Sequence, residues 1–138
     1  MDIGMEKASL CALGRIFGFE PKTGLSILSH LGSAGKIFAM HREEVDGLLG
    51  PFSRHRMEIT PKAVEDAMKE LHDLEKKGIM YIGYTDEDYP PLLKECEDPP
   101  IAIYVRSESP AWPFWKQERS IAVLGTRDIS PYGTEWCH

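Results

Sequence analysis

The sequence predicts an α + α/β chain in two parts: a small helical module over residues 1–78, then the beginning of an open, parallel α/β sheet over residues 79–138. Three observations carry that reading. Apolar residues recur at helical spacing through the first part. Short runs rich in strand formers replace them from residue 79. The run Ile121-Ala122-Val123-Leu124 then closes on Gly125, the pattern of a buried parallel strand whose carboxyl end meets a ligand-binding loop.

The elements follow in order. Met5, Ala8, Ala12, Leu13, Ile16 and Phe17 mark a helix that Gly18 ends. Glu20-Pro21 opens a second, because Pro is tolerated in the first turn, and Leu25, Leu28 and Leu31 are its inner face. After Gly32, Ser33 is placed to cap a short helix carrying Ile37, Phe38 and Met40. Arg42 to Leu49 forms another, stopped by Gly50-Pro51. The clearest helix starts at Thr60-Pro61, with Val64, Ala67, Met68, Leu71 and Leu74 in one stripe, and Gly78 stops it. Glu65–Lys69 and Asp73–Lys77 are spaced to pair along it. Residues 79–82 and 101–105 read as strands, separated by the acidic turn Asp86-Glu87-Asp88 and a helical turn through Leu92 and Leu93. Residues 107–118 read as a loop whose aromatics need cover. Strand 121–125 follows, and Ser130-Pro131-Tyr132-Gly133 turns into a last helix. Three short strands are few for a sheet covered on both faces. The chain is therefore expected to be the N-terminal portion of a longer protein.

Composition narrows the functional classes. With 42% hydrophobic and 28% charged residues in 138, the chain is globular rather than disordered. Its net charge of −6 argues against a broad nucleic-acid-binding surface but leaves room for a local basic site. Three Cys, at 11, 96 and 137, are too few and too scattered for a disulfide framework or a paired zinc motif, so free thiols are expected. No apolar run approaches the roughly 18 residues of a membrane span, and Met1-Asp2-Ile3-Gly4-Met5-Glu6 lacks signal-peptide character. A cytoplasmic location, with no membrane, metal or cofactor, is the expectation.

The candidate site is Gly125-Thr126-Arg127. A guanidinium beside backbone amides holds phosphate through a planar fork of donors with permanent charge, and Gly125 removes the Cβ that would keep a ligand away. Tyr132 and Gly133 belong to the following loop, where Tyr132 can offer a base-stacking ring. Tyr104, Trp112, Phe114 and Trp115 are weaker stacking candidates, better read as cover for a sheet edge. Asp86, Glu87 and Asp88 read as a solvated loop rather than a metal site, and Arg54-His55-Arg56 as a polar loop rather than a phosphate site. Cys137-His138 carries no metal or nucleophile reading, with no scaffold around it.

These pieces together resemble the DNA-processing protein A family (DprA, also called Smf). The matching residues are Leu28-x-x-Leu31-Gly32-Ser33 leading to Ile37-Phe38, Tyr89-Pro90-x-Leu92-Leu93, Asp98-Pro99-Pro100 with Ile103-Tyr104, and Val123-Leu124-Gly125-Thr126-Arg127 with Ser130-x-Tyr132-Gly133. The resemblance runs from about residue 10 to 133. It implies a sterile-alpha-motif-like helical module followed by the opening of an extended Rossmann-like domain. It implies no catalysis, but binding of single-stranded DNA and its delivery to the recombinase RecA in natural transformation, by a protein that is a homodimer at full length. In that family's terms Gly125, Thr126 and Arg127 belong to the DNA pocket, the Arg on a backbone phosphate. The family's later glycine-rich loop does not occur in these residues, nor does a helix-hairpin-helix Gly-x-Gly, where Gly18-Phe19-Glu20 stands instead.

Two readings from other classes stand beside it. One is a nucleotide-handling Rossmann-like enzyme resembling the lysine-decarboxylase-like phosphoribohydrolases, which also place a Gly beside polar residues after an early strand. The other is a protein-binding helical module with residues 1–78 as its working part.

Overall fold

The structure, a computed structural model, describes residues 4–108, 113–116, 121 and 123–136. Its helices are α1 (Met5–Ile16), α2 (Pro21–Leu31), α3 (Ala34–Ala39), α4 (Arg42–Leu49), α5 (Pro61–Lys76), α6 (Pro91–Lys94) and α7 (Pro131–Trp136). Its strands are β1 (Met80–Gly83) and β2 (Ala102–Val105). Helical periodicity, a local signal, placed α1 to α5 within a residue or two.

α1 is the central element because it is apolar on two faces. Leu10, Leu13 and Phe17 meet Ile27 and Leu28 of α2, Ala34 and Ile37 of α3, Val45 of α4 and Ile59. Ala8, Cys11 and Ala12 face Val64, Ala67 and Leu71 of α5, together with Tyr81 of β1. Small residues on that second face let α5 approach closely. A buried Leu, Ile or Phe contributes about 1.5–3 kcal/mol, so these two clusters are the main source of stability.

Local caps set the helix ends. Thr60 accepts from the Ala63 N–H at 3.3 Å at the start of α5, as its position predicts. Gly78 adopts φ 69 beyond the far end, the left-handed turn Gly takes without strain. The start of α3 differs from expectation. The Ser33 hydroxyl does not cap its own helix but donates to Glu6 Oε2 of α1 at 2.7 Å. Glu6 is the cap instead, accepting from the N–H groups of Ala34 (2.6 Å) and Gly35 (3.0 Å). Neither expected pair along α5 is an ion pair; Asp73 meets Lys76 at 3.5 Å, one residue short of Lys77.

The sheet corrects the sequence reading in two respects. β1 and β2 pair antiparallel, Met80 opposite Val105 and Gly83 opposite Ala102, where a parallel sheet was expected. Residues 121 and 123–125 form no strand, and Ile121, Val123 and Leu124 are 93%, 85% and 94% exposed. An apolar run becomes a strand only when a ladder partner satisfies its backbone, and among the described residues no strand lies beside it. Ala122 lies outside the described residues.

The sheet packs on the helices. Tyr81 joins the α1–α5 cluster, and Ile101, just before β2, enters the α1–α2 cluster. A Cβ on Gly24 would stand 2.4 Å from Ile101 Cδ1. This Gly within α2 therefore exists for close approach, at a cost of roughly 0.5–1 kcal/mol in helix stability relative to Ala.

Candidate functional site

Residues 121 and 123–136, almost all exposed, present the candidate site. Thr126 Oγ1 accepts from the Asp128 N–H at 3.3 Å, which fixes the bend after Gly125. Ser130 starts α7, its Oγ accepting from the Gly133 N–H at 3.1 Å and its carbonyl from the Thr134 N–H at 2.9 Å. The expected turn into a helix is thus formed. Gly133 is needed there for space: a Cβ would meet Ile129 Cγ1 at 2.9 Å.

Gly125, Thr126 and Arg127 are exposed and consecutive. A Cβ on Gly125 would meet nothing within 4 Å, so close approach from outside is open. Arg127 makes no ion pair among the described residues. Several other basic residues are paired. Arg15 pairs with Glu70 (3.0 Å), Lys22 with Glu97 (3.1 Å), Arg54 with Glu20 (2.5 Å), Arg56 with Asp46 (2.9 Å) and Lys116 with Asp88 (2.8 Å). The Arg54-His55-Arg56 cluster is therefore tied internally, with His55 buried against Phe17 at 4.7 Å between ring centroids.

Tyr132 is 72% exposed and lies 6.0 Å, centroid to centroid, from Trp136, itself 70% exposed. The two rings stand one helical turn apart on α7 and form an open aromatic pair. Trp136 was not singled out from the sequence, although its i,i+4 spacing from Tyr132 was the available signal. Two of the other stacking candidates, Tyr104 and Trp115, have structural duties. Tyr104 packs edge-on against Tyr81 at 5.6 Å, and the Trp115 indole N–H donates to the Asp88 carbonyl at 2.8 Å. Trp112 lies outside the described residues, as do Cys137 and His138.

No group of three or more His, Cys, Asp or Glu among the described residues is placed to hold a metal ion. Asp86 instead closes the turn after β1, accepting from the Gly83 N–H at 2.6 Å. Among the described residues no helix is long and apolar enough to cross a membrane.

Burial shifts several groups near the α1–α5–sheet junction. It raises the Cys11 thiol to about 11, with the Glu70 carboxylate adding to the effect. It raises Tyr89, with Tyr84 contributing, to about 12, and the Tyr89 hydroxyl donates to the Pro100 carbonyl at 2.7 Å. These groups stay protonated near neutrality and belong to the packing rather than to a reactive site.

Residues 80–138 match the family described as DNA recombination-mediator protein A. The match covers both strands, the Asp86–Asp88 turn, α6 and the whole candidate segment, in agreement with those motifs of the resemblance that lie beyond residue 80. By that description the class is a mediator of DNA recombination, and residues 80–138 of this chain are similar to it. No curated protein and no solved structure matches the chain.

Proposed function

We propose that this protein binds single-stranded DNA and hands it to the recombinase RecA during DNA recombination, without catalysing a reaction itself. The observation that carries the reading is the family match over residues 80–138. The exposed Gly125-Thr126-Arg127 turn and the Tyr132–Trp136 pair supply chemistry that suits it. An unpaired guanidinium takes a backbone phosphate, and two open rings accept bases of any sequence, because every base has a π-face. The same reading brings with it a sterile-alpha-motif-like character for residues 1–78, a Rossmann-like plan for 79–138, a homodimeric full-length protein and a cytoplasmic location.

The test is fluorescence anisotropy with labelled oligothymidine and a mixed-sequence oligonucleotide at low ionic strength. Arg127→Ala weakens binding to both by about tenfold, the loss expected for a charged hydrogen bond. Unchanged affinity removes Arg127 from the site. Saturable binding and turnover of a mononucleotide would support the phosphoribohydrolase reading in its place.

A further inference from the structure

On the far side of β1 from β2 lies a cleft of about 430 Å³, away from the Arg127 turn in sequence and in chemistry. β1 itself, Leu71 and Ile79 form its apolar floor, and Glu75 and the Asp86–Asp88 turn are its rim. The register defines what the strand offers there. Tyr84 donates to the Ile101 carbonyl at 2.8 Å, so with this register the even-numbered residues of β1 face β2, and 79, 81 and 83 face outward. Ile79 N–H is taken by the Leu74 carbonyl at 2.9 Å. Asp86 takes both groups of Gly83, accepting its N–H at 2.6 Å and donating to its carbonyl at 3.0 Å. Tyr81, between them, has no such partner for its outward N–H and C=O among the described residues.

An unpaired strand edge is a template for another strand, and charge decides which one. Asp88 is matched by Lys116 at 2.8 Å, and Lys7 places its ammonium 5.9 Å from the Tyr81 ring centroid. Glu75 and Glu87 have no ion-pair partner among the described residues. The cleft is thus acidic, already hosts one ammonium, and repels phosphates. A second copy would bring two acidic rims together in a chain of net charge −6. We propose that the outer edge of β1 is a docking site for a short extended segment of a partner protein carrying alternating Lys or Arg, which adds as a strand at Tyr81 while its cations meet Glu75 and Glu87. This surface is independent of the DNA reading.

The probe is a fluorescein-labelled Lys-Val-Lys-Val-Lys-Val-Lys peptide titrated with the full chain. Saturable binding is expected, with a shift of the Tyr81 amide resonance. The Glu75→Lys/Glu87→Lys double variant, whose changes lie on exposed side chains, should lose at least tenfold in affinity while keeping its circular dichroism. A peptide of equal charge with Pro in place of each Val cannot donate at those positions and should also bind at least tenfold more weakly. Absence of binding, equal affinity for the Pro peptide, or an affinity unmoved by the double variant overturns the proposal. So does self-association of the chain through this edge, seen as a shift of the Tyr81 amide resonance on dilution without peptide.

Discussion

At the residue scale, Glu6 links two helices that periodicity treats as separate. Its carboxylate meets three donors at the start of α3. Burial alone would raise its pKa, but the Ser33 hydroxyl and the Gly35 and Ala34 amides outweigh it and hold the value below the ordinary 4.5. The sign follows: a depressed folded-state value adds stability above the unfolded value, and that stability is lost as pH falls through the carboxylate range. Glu6→Gln should cost about 0.5–1 kcal/mol near neutrality, the scale of a partly exposed cap. The gap to the parent should close by about pH 3. Denaturant melts at both pH values check this, and a gap that does not change with pH would sink it. Cys11 and Cys96 make a second contrast. Cys11 is buried with its thiol raised to about 11, and Cys96 is exposed. Iodoacetamide at pH 8 should label Cys96 in the native protein and Cys11 only after unfolding, because the thiolate is the nucleophile. Peptide mapping by mass spectrometry reads both sites, and rapid native labelling of Cys11 would contradict its burial.

At the element scale, what the sequence revealed divides by how local the cause is. Helices α1 to α5 were legible because their stripes, caps and stops lie within each segment, as with Thr60, Pro61 and Gly78. The Glu6 cap was not, because donors and acceptor lie 27 to 29 residues apart. Strand identity was legible for 80–83 and 102–105, but pairing direction was not: an apolar run such as Ile101–Val105 has the same composition in either kind of ladder. Residues 121–125 show the limit most plainly, since an apolar run states a need for burial and says nothing of what meets it. The site divides the same way. Arg127 and its turn were visible as a motif, whereas Trp136 gained meaning only beside Tyr132 on α7. Ile101 illustrates a contact with no local signature. It sits at the mouth of β2, yet packs on Gly14 and Gly24 of the helices. Ile101→Ala should therefore cost about 2–5 kcal/mol, the range for a large aliphatic removed from a packed core. It should also destabilise helices and sheet together. Separate melting of the two parts, or a loss below about 1 kcal/mol, would show that Ile101 does not tie them.

At the scale of the whole molecule, charge decides how this chain can meet DNA. The net charge is −6, and arginines 15, 54 and 56 are held by carboxylates of the same chain. What faces outward at the candidate site is one guanidinium and an aromatic pair. Each phosphate contact to a single strand contributes about −0.7 to the slope of log affinity against log salt. Binding through Arg127 should therefore show a slope near −0.7, reduced toward zero by Arg127→Ala. With so few contacts and an acidic body, affinity for single-stranded DNA should be weaker than about 10 µM at physiological salt, within the range of non-specific binding. The stacking contribution responds little to salt, so Tyr132→Ala should weaken binding without moving the slope. A salt titration by anisotropy separates the two effects. A slope steeper than about −3, or submicromolar affinity, would mean that a broader cationic surface than the Arg127 turn engages the strand.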